Sequence, residues 1–199
     1  MRSELRLNLF PVKLFLLFLL PFLPLMALGQ NRKAAEKEIE SLRNGSLLVR
    51  LKTGELQAAA MERSGNATEA NEYRRKQKEE NLAIVKAFIR NFRFCPVYFF
   101  FSSCSQKISN KDFEGCLLNN ELLPDSSRIP PTSVFLIAEF GNSEKQQIEG
   151  LIVMDATFKQ LAKPFPFLIR KYENPMAARS YDEMVLQLEK KLRESAPKK

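Results

Sequence analysis

Three segments of this chain are apolar at both odd and even positions: residues 94–103 (Phe-Cys-Pro-Val-Tyr-Phe-Phe-Phe-Ser-Ser), 133–140 (Ser-Val-Phe-Leu-Ile-Ala-Glu-Phe) and 150–158 (Gly-Leu-Ile-Val-Met-Asp-Ala-Thr-Phe). Side chains alternate sides along a strand, so apolar residues of both parities mean that both faces must leave water. A sheet built from such strands needs cover on each side. The remaining segments supply helices for it. The expected fold is therefore a single α/β domain, with a mixed four- to five-stranded sheet and helices packed on it.

The other elements follow from local pattern. Residues 32–43 favour helix, and Asn44-Gly45 ends it as a pair that tolerates the left-handed region. Residues 46–52 read as a strand and 55–63 as a helix. The longest helix runs over 67–92. Its apolar stripe is Leu82, Val85, Ile89 and Phe92, widened by Ile84 and Phe88. The first half of that helix is polar, so it either projects into solvent or pairs with the preceding helix. Gly115 to Leu118 is a short strand candidate, and 167–171 an edge strand. The loop 141–149 is too short for a helical crossover, which makes the flanking strands antiparallel. Ser180 and Glu183 have capping-box spacing and open the last helix, with Tyr181, Met184, Val185, Leu188 and Leu192 on one face.

Residues 1–29 read as a secretory signal peptide: a charged start, an apolar run over 14–28, then Ala27-Leu28-Gly29 as the cleavage site. Pro21 and Pro24 interrupt the run, which falls short of the roughly 20 residues of a spanning helix. The expected product is a secreted or periplasmic chain with no membrane span, composed of the α/β domain over 30–196 and a basic tail at 197–199. Cleavage after Gly29 lowers the formal net charge from +8 to +6. The densest basic cluster, Arg74-Arg75-Lys76-Gln77-Lys78, is followed by Glu79-Glu80 and forms pairs along its own helix, so no nucleic-acid partner is expected.

The chain has no histidine. Ser-His-Asp and Cys-His catalysis and histidine-ligated metals are thereby excluded, and no metal site is expected. The seven glycines form no phosphate loop, and no cofactor is expected. Cysteine chemistry rests on Cys95, Cys104 and Cys116. A continuous strand over 95–103 holds Cys95 about 30 Å from Cys104, far beyond the roughly 7 Å that a bridge allows. Cys104–Cys116 is the best bridge candidate, and three buried thiols the alternative. Cys104 ends a strand and precedes Lys107, a setting for a redox thiol with Cys116 as its resolving partner, although Cys-x-x-Cys spacing is missing. Glu139 and Asp155, both in apolar strands, are the acid/base candidates, with Arg170 and Lys171 as natural ion-pair partners. Prolines and polar residues make 119–132 a long irregular loop and a candidate functional segment.

The expected function is accordingly a non-catalytic binding or scaffolding domain with a protein or cell-envelope partner. The alternatives are a thiol-disulfide oxidoreductase using Cys104 and Cys116, and a carboxylate hydrolase using Glu139 and Asp155. Intact mass of the exported protein after thiol trapping without reductant tests the leader and the bridge together. The expected mass begins at Gln30 and carries one thiol label and one disulfide.

Overall fold

The computed structural model describes residues 23–130, 132–174 and 177–197. The two-faced strands organise it. β1 (Ser46–Leu51) lies between β2 (Val97–Phe101) and β4 (Phe135–Asn142), parallel to both. β5 (Glu149–Met154) returns antiparallel on β4, as the short connection requires. β3 (Leu117–Leu118) and β6 (Leu168–Arg170) occupy the margins, giving the order β3-β2-β1-β4-β5-β6. The sheet thus has six strands, not four or five. Its two marginal strands are too short to show a period, and they form because the neighbouring strand edges offer unpaired N–H and C=O groups. A separate ribbon of β7 (Tyr172–Asn174) and β8 (Ala177–Ala178) has no counterpart in the sequence pattern.

Among the described residues, five helices accompany the strands: α1 (Leu23–Arg43), α2 (Glu55–Arg63), α3 (Ala67–Asn91), the short α4 (Ser105–Ser109) and α5 (Tyr181–Ser195). Among the described residues no helix is long and apolar enough to cross a membrane. Residues 1–22 of the expected leader, and Lys198 and Lys199 of the tail, lie outside the described residues.

The two faces of the sheet are covered differently. Leu47, Val49, Phe99, Leu136 and Val153 point to one side, against Ile39 and Leu42 of α1, Val85 and Phe88 of α3, and Val185 and Leu188 of α5. Leu48, Phe100, Ile137 and Ile152 point to the other. There the cover is a smaller cluster built by Ile108 of α4, Cys116 and Leu117.

Several local expectations change in tertiary context. Gly45 is not left-handed. A Cβ there would lie 2.4 Å from the Val134 carbonyl oxygen, so glycine is needed for close approach of two backbones. The buried face of α3 keeps Ile84, Val85, Phe88 and Phe92 of the expected stripe, leaves Ile89 43% exposed, and extends to Gln77 and Asn81. The reason is polar. Asn81 Nδ2 donates to the Lys52 carbonyl at 2.8 Å, a satisfied contact that a hydrophobic pattern does not register. The polar half of α3 pairs with α2, through Arg74 to Glu55 (3.1 Å) and Glu62 (2.7 Å). Phe165 is buried and Phe167 is half-buried beside the same core.

The α3-to-β2 corner is held by one buried carboxylate. Glu189 of α5 accepts from the backbone N–H groups of Arg93 and Phe94, both at 3.0 Å, and from Arg193. Hydrogen bonds to a charged group contribute more than neutral ones. Glu189→Ala is expected to lower unfolding free energy by about 3 kcal/mol in urea titration, and Glu189→Gln by less.

Candidate functional site

The first candidate group lies beyond the end of β2. The strand stops at Phe101, earlier than the sequence suggests, and a 3₁₀ turn (Ser102–Cys104) delivers Cys104 to the start of α4. β3 then runs back along β2, with Leu117 opposite Phe100. This return sets Cys116 beside Cys104. The two are disulfide-bonded, with Cα atoms 5.8 Å apart. Cys116 is 2% exposed, and Lys107 is turned to the Glu114 carbonyl (2.9 Å) and Asp112 (3.4 Å). The bridge therefore joins a strand end to the segment that covers the smaller core. Cys95 is the free cysteine, and burial pushes its thiol up to about 12.

The two carboxylates are not equivalent. Glu139 lies in β4 on the smaller-core face, where the register sets it beside Arg50 of β1. Arg50 Nη1 donates to Glu139 Oε2 at 2.8 Å and Nε to Ser105 Oγ at 3.0 Å, and the guanidinium lies 5.4 Å over the Phe158 ring. Asp155 is not in a strand, because β5 ends at Met154. Its Oδ1 accepts from Thr157 N–H (2.8 Å), Thr157 Oγ (2.6 Å) and Lys159 N–H (3.1 Å), which closes the turn after β5. Each carboxylate is thus committed to its own partners. The partner of Glu139 is Arg50, not Arg170 or Lys171, and Lys171 pairs with Glu149 at 2.7 Å. The signal for Arg50 was a lone arginine inside an apolar strand. Recognising it requires the strand order.

The loop after β3 is braced by its own polar side chains. Asn119 Oδ1 accepts from the N–H groups of Glu121 and Leu123, and Asp125 Oδ1 from Ser127 N–H and Oγ. Leu122 adopts a left-handed φ of 66°, a conformation that costs a leucine about 1–2 kcal/mol. It sends Leu122 inward and leaves Leu123 exposed.

A cleft of about 240 Å³ opens where the parallel strands diverge. The ladder between β1 and β4 stops at Arg50 opposite Glu139, while β4 runs on to Asn142. Phe140 to Asn142 therefore line an opening with Lys52, and Glu80 of α3 and Tyr181 of α5 close its far side. A crevice outside the carboxyl ends of parallel strands is the usual place for a ligand in an open α/β sheet. Sequence reading missed this site, because its residues come from six separate segments.

Tyr181 gives the cleft a measurable titration. Burial first, and then its hydrogen bond to Glu80 Oε1, push its hydroxyl well above the ordinary tyrosine value. The folded state therefore holds this proton more tightly than the unfolded chain. The resulting stability is complete below the unfolded value of about 10 and is lost as pH rises above it. Thermal unfolding between pH 8 and about 11 is expected to fall less steeply for Tyr181→Phe than for the parent protein. Comparison with known proteins yields no relative: no family model, curated protein or solved structure matches the chain.

Proposed function

We propose that this chain is an exported, non-catalytic domain that binds a protein or cell-envelope partner through the loop 119–132. The observation that carries this reading is the combination of bracing and exposure in that loop. Its backbone is tied by Asn119 and Asp125, and Leu122 anchors it, yet Leu123 is 56% and Ile129 67% exposed. Val134, just beyond it, is 48% exposed. Large apolar side chains on a preorganised loop lose little conformational entropy on docking, which favours a recognition role. The polar half of α3 is the weaker surface, since α2 already pairs with it. Export rests on the leader sequence.

A second reading, a thiol-disulfide oxidoreductase, draws support from the Cys104–Cys116 bridge and its position at a strand end. The burial of Cys116 favours a structural staple instead. Closing a loop of this length contributes about 3 kcal/mol by restricting the unfolded chain. A carboxylate hydrolase is the third reading, and it would require freeing Glu139 from Arg50 and Asp155 from its turn.

The test compares the parent protein with a Leu123→Asp/Ile129→Asp variant as bait in envelope extracts, with thermal midpoints measured alongside. The binding reading predicts a captured partner that the variant loses about tenfold or more, corresponding to about 1.4 kcal/mol, at an unchanged midpoint. Equal capture by both proteins removes it. Cys104→Ser separates the second reading: a staple predicts lower stability with binding kept, and an oxidoreductase predicts loss of disulfide exchange on a model dithiol substrate.

A further inference from the structure

We propose that the cleft at the carboxyl ends of β1 and β4 binds a free α-amino acid, with Lys52 taking the carboxylate and Glu80 the ammonium group. This inference is independent of the loop 119–132 and concerns a second, small-molecule site. The argument starts from the charges in the cleft, two lysines and two glutamates. Lys171 and Glu149 satisfy each other at 2.7 Å. That leaves Lys52 and Glu80. Lys52 makes no ion pair among the described residues, and its backbone is held in place by Asn81. Glu80 is met by neutral donors only: Gln77 Nε2 on Oε2 at 3.2 Å, and the Tyr181 hydroxyl on Oε1 at 2.5 Å.

A carboxylate met by two neutral donors has further lone pairs to accept with. A cation with no counterion stands on the same cleft. A monovalent anion would satisfy Lys52 but face Glu80, and a monovalent cation would do the reverse. A zwitterion matches both, and charge-assisted hydrogen bonds are the strong ones. Phe140 and Met184 give the cleft an apolar portion for a side chain. Size agrees: about 240 Å³ lies just below the roughly 300–1,000 Å³ of drug-sized ligand sites. Gly141 lines the cleft through its backbone, while a Cβ there would point with Glu139 to the smaller-core face.

The experiment titrates the exported protein with each of the twenty free L-amino acids to about 10 mM, following backbone amide shifts, so that affinities of about 1 mM are detected. L-leucine is compared with isopentylamine and 4-methylpentanoate, which each keep one of its two charges. The expected result is saturable shifts at Gly141, Asn142 and Gly150 for at least one amino acid, and at least tenfold weaker binding for the corresponding amine and acid. Lys52→Ala is expected to weaken binding at least tenfold with an unchanged thermal midpoint. No saturable shift from any amino acid overturns the proposal. So does binding of a one-charge analogue as tight as that of its amino acid, or full binding by a folded Lys52→Ala protein.

Discussion

Burial of β1 on both faces is the constraint from which the rest of the architecture follows. Leu47, Leu48 and Val49 are fully buried, with Leu51 almost so, and parallel partners lie on both edges. A strand in that position leaves no face for water. Each face therefore has to find its own cover, and two parallel neighbours require long connections. The connection from β1 to β2 carries α2 and α3, and the one from β2 to β4 carries α4, the disulfide and the loop 119–132. Fold and candidate sites are both consequences of how those two connections are filled.

The two covers are unequal, and chemistry compensates for the difference. One face receives long amphipathic helices, locked at a corner by Glu189. The other receives a five-residue helix and a two-residue strand, too little apolar surface to be held by burial alone. The Cys104–Cys116 bridge ties that segment down, and the Arg50–Glu139–Ser105 group completes the same face at its polar end. A half-buried arginine with two oxygen acceptors and an aromatic neighbour is well satisfied. This accounts for Glu139 in an otherwise apolar strand without calling on catalysis.

Legibility of the sites in the sequence differed from residue to residue, for physical reasons. The Cys104–Cys116 pairing was accessible because strand rise limits distance along the chain, even though β2 proved shorter than expected. The capping box at Ser180 was accessible because capping is local, and it forms as the spacing implies. Arg50 as the partner of Glu139 was not, because the two are brought together by a strand register 89 residues apart in the chain. Asp155 misled because a short polar residue in an apolar run reads as part of the strand, whereas its own side chain ends it. The cleft was invisible for the same reason as Arg50: its residues share no local pattern, and it exists because two strands separate at different lengths.

What the sequence determined by itself was the class of layers: two-faced strands that demand cover, amphipathic helices that can provide it, a terminal helix with its cap, and a loop rich in turn formers. These depend on periodicity and on contacts within a few residues, which short-range sterics and hydration dictate. Tertiary structure alone decided the strand order, the addition of two marginal strands, the extension of the buried face of α3 to Asn81, the Gly45 contact with Val134 and the convergence of Lys52 and Glu80 on one cleft. Each of these depends on which distant backbone comes alongside, and that is settled only when all the buried faces are matched at once.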